Sequence, residues 1–101
     1  MHYVVLFEDE PSRANMRTAH MADHLAFLER NAPSVRAAGP LVDAADGSGA
    51  GGLWLVEAED VHRVEALYQS DLFWATGLRK SVRVLQWNQV FADGRRKSVT
   101  Q

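Results

Sequence analysis

Apolar residues along this chain recur with two different periods. In residues 2–8, Tyr3, Val5 and Phe7 alternate with Val4 and Leu6, a period of two that predicts a strand with both faces apolar. The charged turn Glu8-Asp9-Glu10-Pro11-Ser12 ends it, and Pro11 with Ser12 is placed to start a helix. Over residues 17–32 the period becomes helical: Met21, Leu25, Leu28 and Ala32 fall at i, i+4, i+7 and i+11. That stripe predicts the core-facing side of a helix running to about Asn31, which Pro33 cannot continue.

Beyond Gly39-Pro40, residues 41–44 read as a short second strand and residues 52–57 as a third, joined by the glycine-rich segment 46–52 as a hairpin. Acids at Glu59 and Asp60 open a second helix where the macrodipole favours them. Val61, Val64, Leu67 and Tyr68 mark its buried face. Residues 72–78 form an apolar connector in which Gly77 suits a left-handed turn. Residues 81–91 alternate as a last strand, with Val82, Val84 and Val90 on one side and Leu85, Trp87 and Phe91 on the other. Asp93-Gly94 can turn a hairpin that brings residues 97–100 back as a short edge strand; the alternative is a loose end.

The glycine-rich loop matches G-x-G-x-x-G through Gly47, Gly49 and Gly52. A dinucleotide fingerprint must open a helix, so that the pyrophosphate meets a helix N-terminus. Here a strand follows, and a hairpin tip is the better account.

The order β-α-β-β-α-β with a central hairpin is the ferredoxin-like arrangement of the α+β class, four antiparallel strands with two helices on one face. The chain, residues 1–101, reads as one domain. Strands one, three and four carry apolar side chains on both faces, and no third helix remains to cover the second face. A second copy of the same sheet is the simplest cover, so the expected assembly is a homodimer closed as an α+β barrel.

Composition narrows the function classes. The chain is 47% hydrophobic and 24% charged with a net charge of −2, an ordinary globular balance with no electrostatic call for nucleic acid or an anionic membrane. Arg95-Arg96-Lys97 has no interleaved aromatics and reads as a solvated tail. Cysteine is absent, which excludes disulfides, thiolate metal sites and cysteine nucleophiles. No run approaches the ~20 apolar residues of a membrane helix, and the first apolar run is too short for a signal peptide. The expectation is a cytoplasmic protein.

His20 and His24 stand at i and i+4, a metal-ligand spacing. However, Met21 occupies the position where a zinc protease carries glutamate, and no carboxylate or cysteine cluster supports a site. Neither a metal nor another cofactor is expected. His20 reads as half-exposed; His24, beside Leu28 at the edge of the stripe, is either a structural histidine or a proton-transfer group. Asp23 lies about 100° away around the helix, so a carboxylate to orient His24 must come from elsewhere. Asp71, between the second helix and the connector, is the best placed. Its alternative role is to cap the turn that follows. Arg17, on nearly the same side as His24, is a candidate for an anionic group or an ordinary surface ion pair.

Arg17 with His24-Leu25-Ala26-Phe27-Leu28, Gly39-Pro40-Leu41, Glu57-Ala58-Glu59-Asp60, Asp71-Leu72-Phe73-Trp74-Ala75-Thr76-Gly77-Leu78 and the closing strand resemble the YCII (YciI-like) family in order and across nearly the whole chain. The resemblance implies a ferredoxin-like dimeric barrel and an active site at His24 and Asp71. Its enzymatic precedents are a dehydrochlorinase acting on a chlorinated hydroxyquinol and a likeness to muconolactone isomerases. Leu72 stands where the family usually has proline, which bears on how Asp71 is presented. Met21 stands where arginine is frequent, which removes a possible anion contact.

Two function classes follow. One is a cofactor-free enzyme in which His24 and Asp71 move a proton during elimination or isomerisation of a small, aromatic or lactone-like molecule, with Arg17, His20 and Trp74 binding it. The other is a non-catalytic dimeric module for a small ligand or partner protein. An enclosed pocket with His24 and Asp71 in contact favours the first; a filled core with the two apart favours the second.

Overall fold

A computed structural model of the chain describes residues 1–97. Four strands form one antiparallel sheet in the order β2-β3-β1-β4: β1 (His2–Asp9), β2 (Val35–Val42), β3 (Gly49–Glu57) and β4 (Arg79–Gln86). The two crossovers carry helices α1 (Asn15–Ala19), α2 (Met21–Arg30), α3 (Val61–Gln69) and α4 (Leu72–Ala75). This is the ferredoxin-like α+β fold.

Alternation in β1 decides which face is the core. Tyr3, Val5 and Phe7 are buried with Trp54 and Val56 of β3, against Phe27 of α2 and Val64 and Tyr68 of α3. Pairing of Val5 with Trp54 sets these side chains side by side, and Phe7 pairs with the bare backbone of Gly52. Val4, Leu6, Leu53 and Leu55 lie on the other face and are only half buried, and Leu85 beside them is exposed.

The long first helix is interrupted. A 3-10 turn (Pro11–Arg13) leads into α1, and α2 begins only after His20, whose φ of −116° and ψ of 15° break the spiral. The core side of α2 is rotated from the expected stripe of Met21, Leu25, Leu28 and Ala32, of which Leu28 alone packs against the core cluster. His24 and Phe27 are buried, whereas Leu25 is 49% exposed and Ala32 is exposed.

Element ends also differ from expectation. β2 spans Val35–Val42 instead of residues 41–44, with Pro40 tolerated because β2 is an edge strand. α3 starts at Val61, after Asp60 accepts the Arg63 backbone N–H at 3.0 Å as an N-cap; Val61 itself is exposed. The connector 72–78 holds the short helix α4, and Gly77 takes φ of 77°. β4 stops at Gln86, so the strand expected over 81–91 is split. Phe91–Ala92 (β5) pairs instead with Arg95–Arg96 (β6). Asp93 and Gly94 between them have φ of 56° and 73°, the two positive values of a tight hairpin turn. The returning strand is therefore β6; residues 98–100 of the expected edge strand lie outside the described residues.

The glycine that the hairpin cannot replace is not one of the three in the G-x-G-x-x-G match. Gly51 has φ of 84°, and a Cβ there would lie 1.8 Å from the Phe7 carbonyl oxygen.

Candidate functional site

His24 stands in the first turn of α2, just after the interruption at His20, on the buried side of that helix. Asp71 sits between α3 and α4, where the chain is extended (φ −81°, ψ 143°) and can send its side chain back under α2. His24 Nδ1 lies 2.9 Å from Asp71 Oδ1 and 2.8 Å from Oδ2. Both side chains are buried, at 7% and 2% exposure. Asp71 accepts backbone N–H bonds from Trp74 and Ala75 through its carbonyl, but its carboxylate makes no cap bond. Cap geometry and histidine contact thus use different atoms of one residue.

The imidazole is stacked on Phe73, with ring centroids 4.0 Å apart and planes 18° from parallel, and Trp54 lies 6.2 Å away on the sheet. An ionised carboxylate only accepts hydrogen bonds. Opposite an ionised Asp71, Nδ1 is the nitrogen that carries the hydrogen and donates it.

Two residues absent from the sequence expectations complete the cluster. Arg79, at the start of β4, donates from Nη1 to Asp9 Oδ1 at 2.9 Å, and Asp9 also pairs with Arg17. The Arg79 side chain is only 3% exposed. Its guanidinium lies 4.2 Å from the Phe7 ring centre and 5.3 Å from that of Phe73; Arg17 lies 5.4 Å from the same Phe73 ring. The residue that makes room is Gly52, where a Cβ would stand 3.1 Å from Arg79 Nη1. Burial pulls the Arg79 pKa below its ordinary value; Asp9 opposes this, Arg17 adds to it, and the charge of Asp71 opposes it more weakly. Among the described residues, two buried side-chain atoms lack a hydrogen-bond partner, Arg79 Nε and Thr76 Oγ1.

Of the residues singled out from sequence, His24 and Asp71 meet, and Arg17 joins them through Phe73. His20 sits half-buried at the α1–α2 break. Trp74 turns to the other side of α4, its ring 5.0 Å from Tyr68, while Phe73 takes the place against His24. Among the described residues no group of three His, Cys, Asp or Glu side chains could hold a metal ion, and no helix is long and apolar enough to cross a membrane.

Residues 1–88 match the model of the YCII-related domain. The chain belongs to the YCII-related family. The hairpin β5–β6 lies beyond the matched segment. A solved structure of 5-chloro-2-hydroxyhydroquinone dehydrochlorinase from Burkholderia phenoliruptrix AC1100, in complex with 2,5-dihydroxybenzoquinone, is similar to this YCII-related chain with a TM-score of 0.76 and 27% identity. The match covers 86% of this chain and 93% of the other. A protein from Arabidopsis thaliana aligns over 99% of this chain and 98% of its own at 15% identity and a TM-score of 0.47, a likeness too slight to bear on function. No curated protein matches this sequence.

Proposed function

We propose that this YCII-related protein is a small enzyme that moves a proton on a compact aromatic or quinone-like molecule, in an elimination or isomerisation, without a cofactor. His24 is the general acid or base through Nε2, and Asp71 orients it and balances the imidazolium that forms. The observation that carries this reading is the buried contact of His24 with both Asp71 oxygens over the Phe73 ring. Support comes from the 27% identical neighbour, a 5-chloro-2-hydroxyhydroquinone dehydrochlorinase solved with 2,5-dihydroxybenzoquinone.

The site would be used in a homodimer. Val4, Leu6, Leu53, Leu55 and Leu85 make the uncovered sheet face apolar, and a second copy would bury it.

A non-catalytic ligand module is the second reading, and one observation favours it. A cavity of about 660 Å³ lies at the far end of the sheet, lined by His2, Tyr3, Arg36, Gln86 and Trp87 among others, and neither it nor the two smaller cavities described includes His24 or Asp71.

Release of chloride and of a proton from 5-chloro-2-hydroxyhydroquinone tests the choice. The expected result is turnover by the parent chain, a loss of about 10²–10⁴-fold in His24→Ala, and a smaller loss in Asp71→Asn. Parent-like turnover in both variants overturns the assignment. Binding unaffected by either variant but abolished by Arg36→Glu supports the module.

A further inference from the structure

The pair His24 and Asp71 is closed off in this structure. Both side chains are buried, and none of the cavities described is lined by either. A molecule that reacts at His24 therefore needs a covering element to move aside. One stretch is built to do so. Residues 11–19, from the 3-10 turn to the break at His20, bury no side chain. α1 within it has five residues, too few to hold a helix without packing.

This strap lies along the connector that carries the floor of the site. The Arg17 guanidinium is 5.4 Å from the centre of the Phe73 ring on which His24 is stacked, and Arg13 Nε is 3.8 Å from where a Cβ of Gly77 would stand. Among the described residues, the side chains of the strap reach the sheet through one ion pair, Arg17 with Asp9. Asp9 divides its oxygens: Oδ1 accepts from Arg79 and Oδ2 from Arg17. The Arg17 side chain is 24% exposed and that of Arg79 only 3%. Release of Arg17 thus leaves Asp9 paired with the buried arginine and gives the freed guanidinium to water, so that no buried charge loses its partner.

We propose that residues 11–19 are a lid on the His24–Asp71 site, latched by Arg17 on Asp9, which unfolds locally to admit a ligand to His24 and refolds over it. The lid rests on the reading of His24 and Asp71 as the reacting pair and adds how that site is gated. Its two ends are fixed by the Glu10 N–H bond to the Leu78 carbonyl, 2.7 Å, and by the start of α2 after His20.

The test follows access to His24 with diethyl pyrocarbonate, which acylates the unprotonated nitrogen of an imidazole, each histidine being read by peptide mass. His62, with 86% of its side chain exposed, is the internal standard. Amide exchange at Arg17 and His20, whose N–H groups bond to the Ala14 and Met16 carbonyls inside the strap, follows the opening itself. In the parent, His24 is expected to react at least about tenfold more slowly than His62, and the two strap amides to exchange at least about tenfold faster than that of Val5 in β1. Arg17→Met removes the latch and leaves Asp9 to Arg79. It is expected to speed both His24 acylation and strap exchange about two- to fivefold, the scale of one partly exposed ion pair, with His62 unchanged. Removing a positive charge by itself makes an imidazole hold its proton more tightly, so faster acylation reports access. Arg17→Lys, which can keep the pair, is expected to fall between. Salt at about 1 M screens the pair and is expected to speed His24 in the parent but not in Arg17→Met, an arm that decides the matter if the variants fail to fold.

A parent in which His24 reacts as fast as His62 overturns the lid, as do strap amides that exchange as slowly as Val5. So does a folded Arg17→Met with parent-like acylation and exchange, or a parent His24 rate that ignores salt. Turnover separates the lid from the reading beneath it. If His24→Ala keeps the parent's turnover, proton transfer by His24 falls while the lid stands on acylation and exchange; if turnover needs His24 but access ignores the latch, only the lid falls.

Discussion

Nδ1 of His24 lies 2.9 and 2.8 Å from the two carboxylate oxygens of Asp71, across 47 positions of sequence. With one nitrogen facing an acceptor from two directions, the ring is held in one tautomer, protonated at Nδ1. Nitrogen-15 spectra of the parent are expected to show that tautomer for His24. Asp71→Leu removes the acceptor and leaves a buried N–H unpaired, at a cost of about 1–3 kcal/mol. Asp71→Asn retains an accepting oxygen and is expected to cost less. A parent spectrum with the proton on Nε2 would contradict the arrangement.

Phe73 is fully buried and carries the imidazole on its face. Phe73→Ala leaves a cavity under both His24 and the two guanidiniums, and urea unfolding is expected to show a loss of about 3–5 kcal/mol. Phe73→Leu should recover much of the stability. Parent-like stability in Phe73→Ala would mean the ring is not part of the packed core.

How much of this was legible beforehand varies with the kind of residue. The alternation of Tyr3, Val5 and Phe7 against Val4 and Leu6 decides the strand and its two faces locally, and β1 follows it. The element order then gives the ferredoxin-like topology with only strand ends displaced. The first helix misled because a wheel ranks faces by hydrophobicity: Leu25 outscored His24, yet Asp71 and Phe73 draw His24 inward and leave Leu25 half exposed. His20 gave no sign of a break, being neither glycine nor proline. Arg79 beside Lys80 reads as solvent-facing charge. What buries it is the register irregularity between Glu8 and Asp9, which brings Asp9 opposite Arg79, and the missing side chain at Gly52. Neither is visible without the pairing of strands. The nearest sequence signal was an acid at the end of β1 with no basic neighbour to balance it.

Gly51 offers a test of the hairpin itself. Its φ of 84° is unfavourable for any L side chain, and an added Cβ would meet the Phe7 backbone. Gly51→Ala is expected to destabilise by at least ~1–3 kcal/mol, read as a lower denaturant midpoint. Gly47→Ala also has positive φ but open space around it, so it should cost less and disturb only the loop. Equal effects at the two positions would remove the argument that close approach to β1, and not the turn alone, demands glycine.

The uncovered sheet face makes an assembly prediction. Leu53 and Leu55 sit at the middle of β3 on that side, half buried in one chain. Sedimentation is expected to give a dimer for the parent and a folded monomer for Leu55→Lys, since a charge at the centre of an apolar interface is left unpaired. A monomeric parent would leave the apolar face without its second copy and remove the dimer from the proposal.

Tyr68 links the core to alkaline pH. Its ring is buried between Phe7 and Trp74. Burial raises its phenol above the ordinary value of 10.0, the charge of Glu65 adds to the rise, and a hydrogen bond with Gln69 opposes it. A pKa that is higher in the folded chain means that the unfolded chain gives up the proton first. The stabilisation is therefore fully present below the unfolded value, about 10, and is lost as pH rises through the folded value. Denaturation midpoints followed with rising pH should fall more steeply in the parent than in Tyr68→Phe, which has no phenol at that position. Phenolate absorbance should show one tyrosine of the parent titrating late and absent from the variant. A Tyr68 that ionises at or below 10 would place its hydroxyl in water and overturn the packing of α3 on α4 as described.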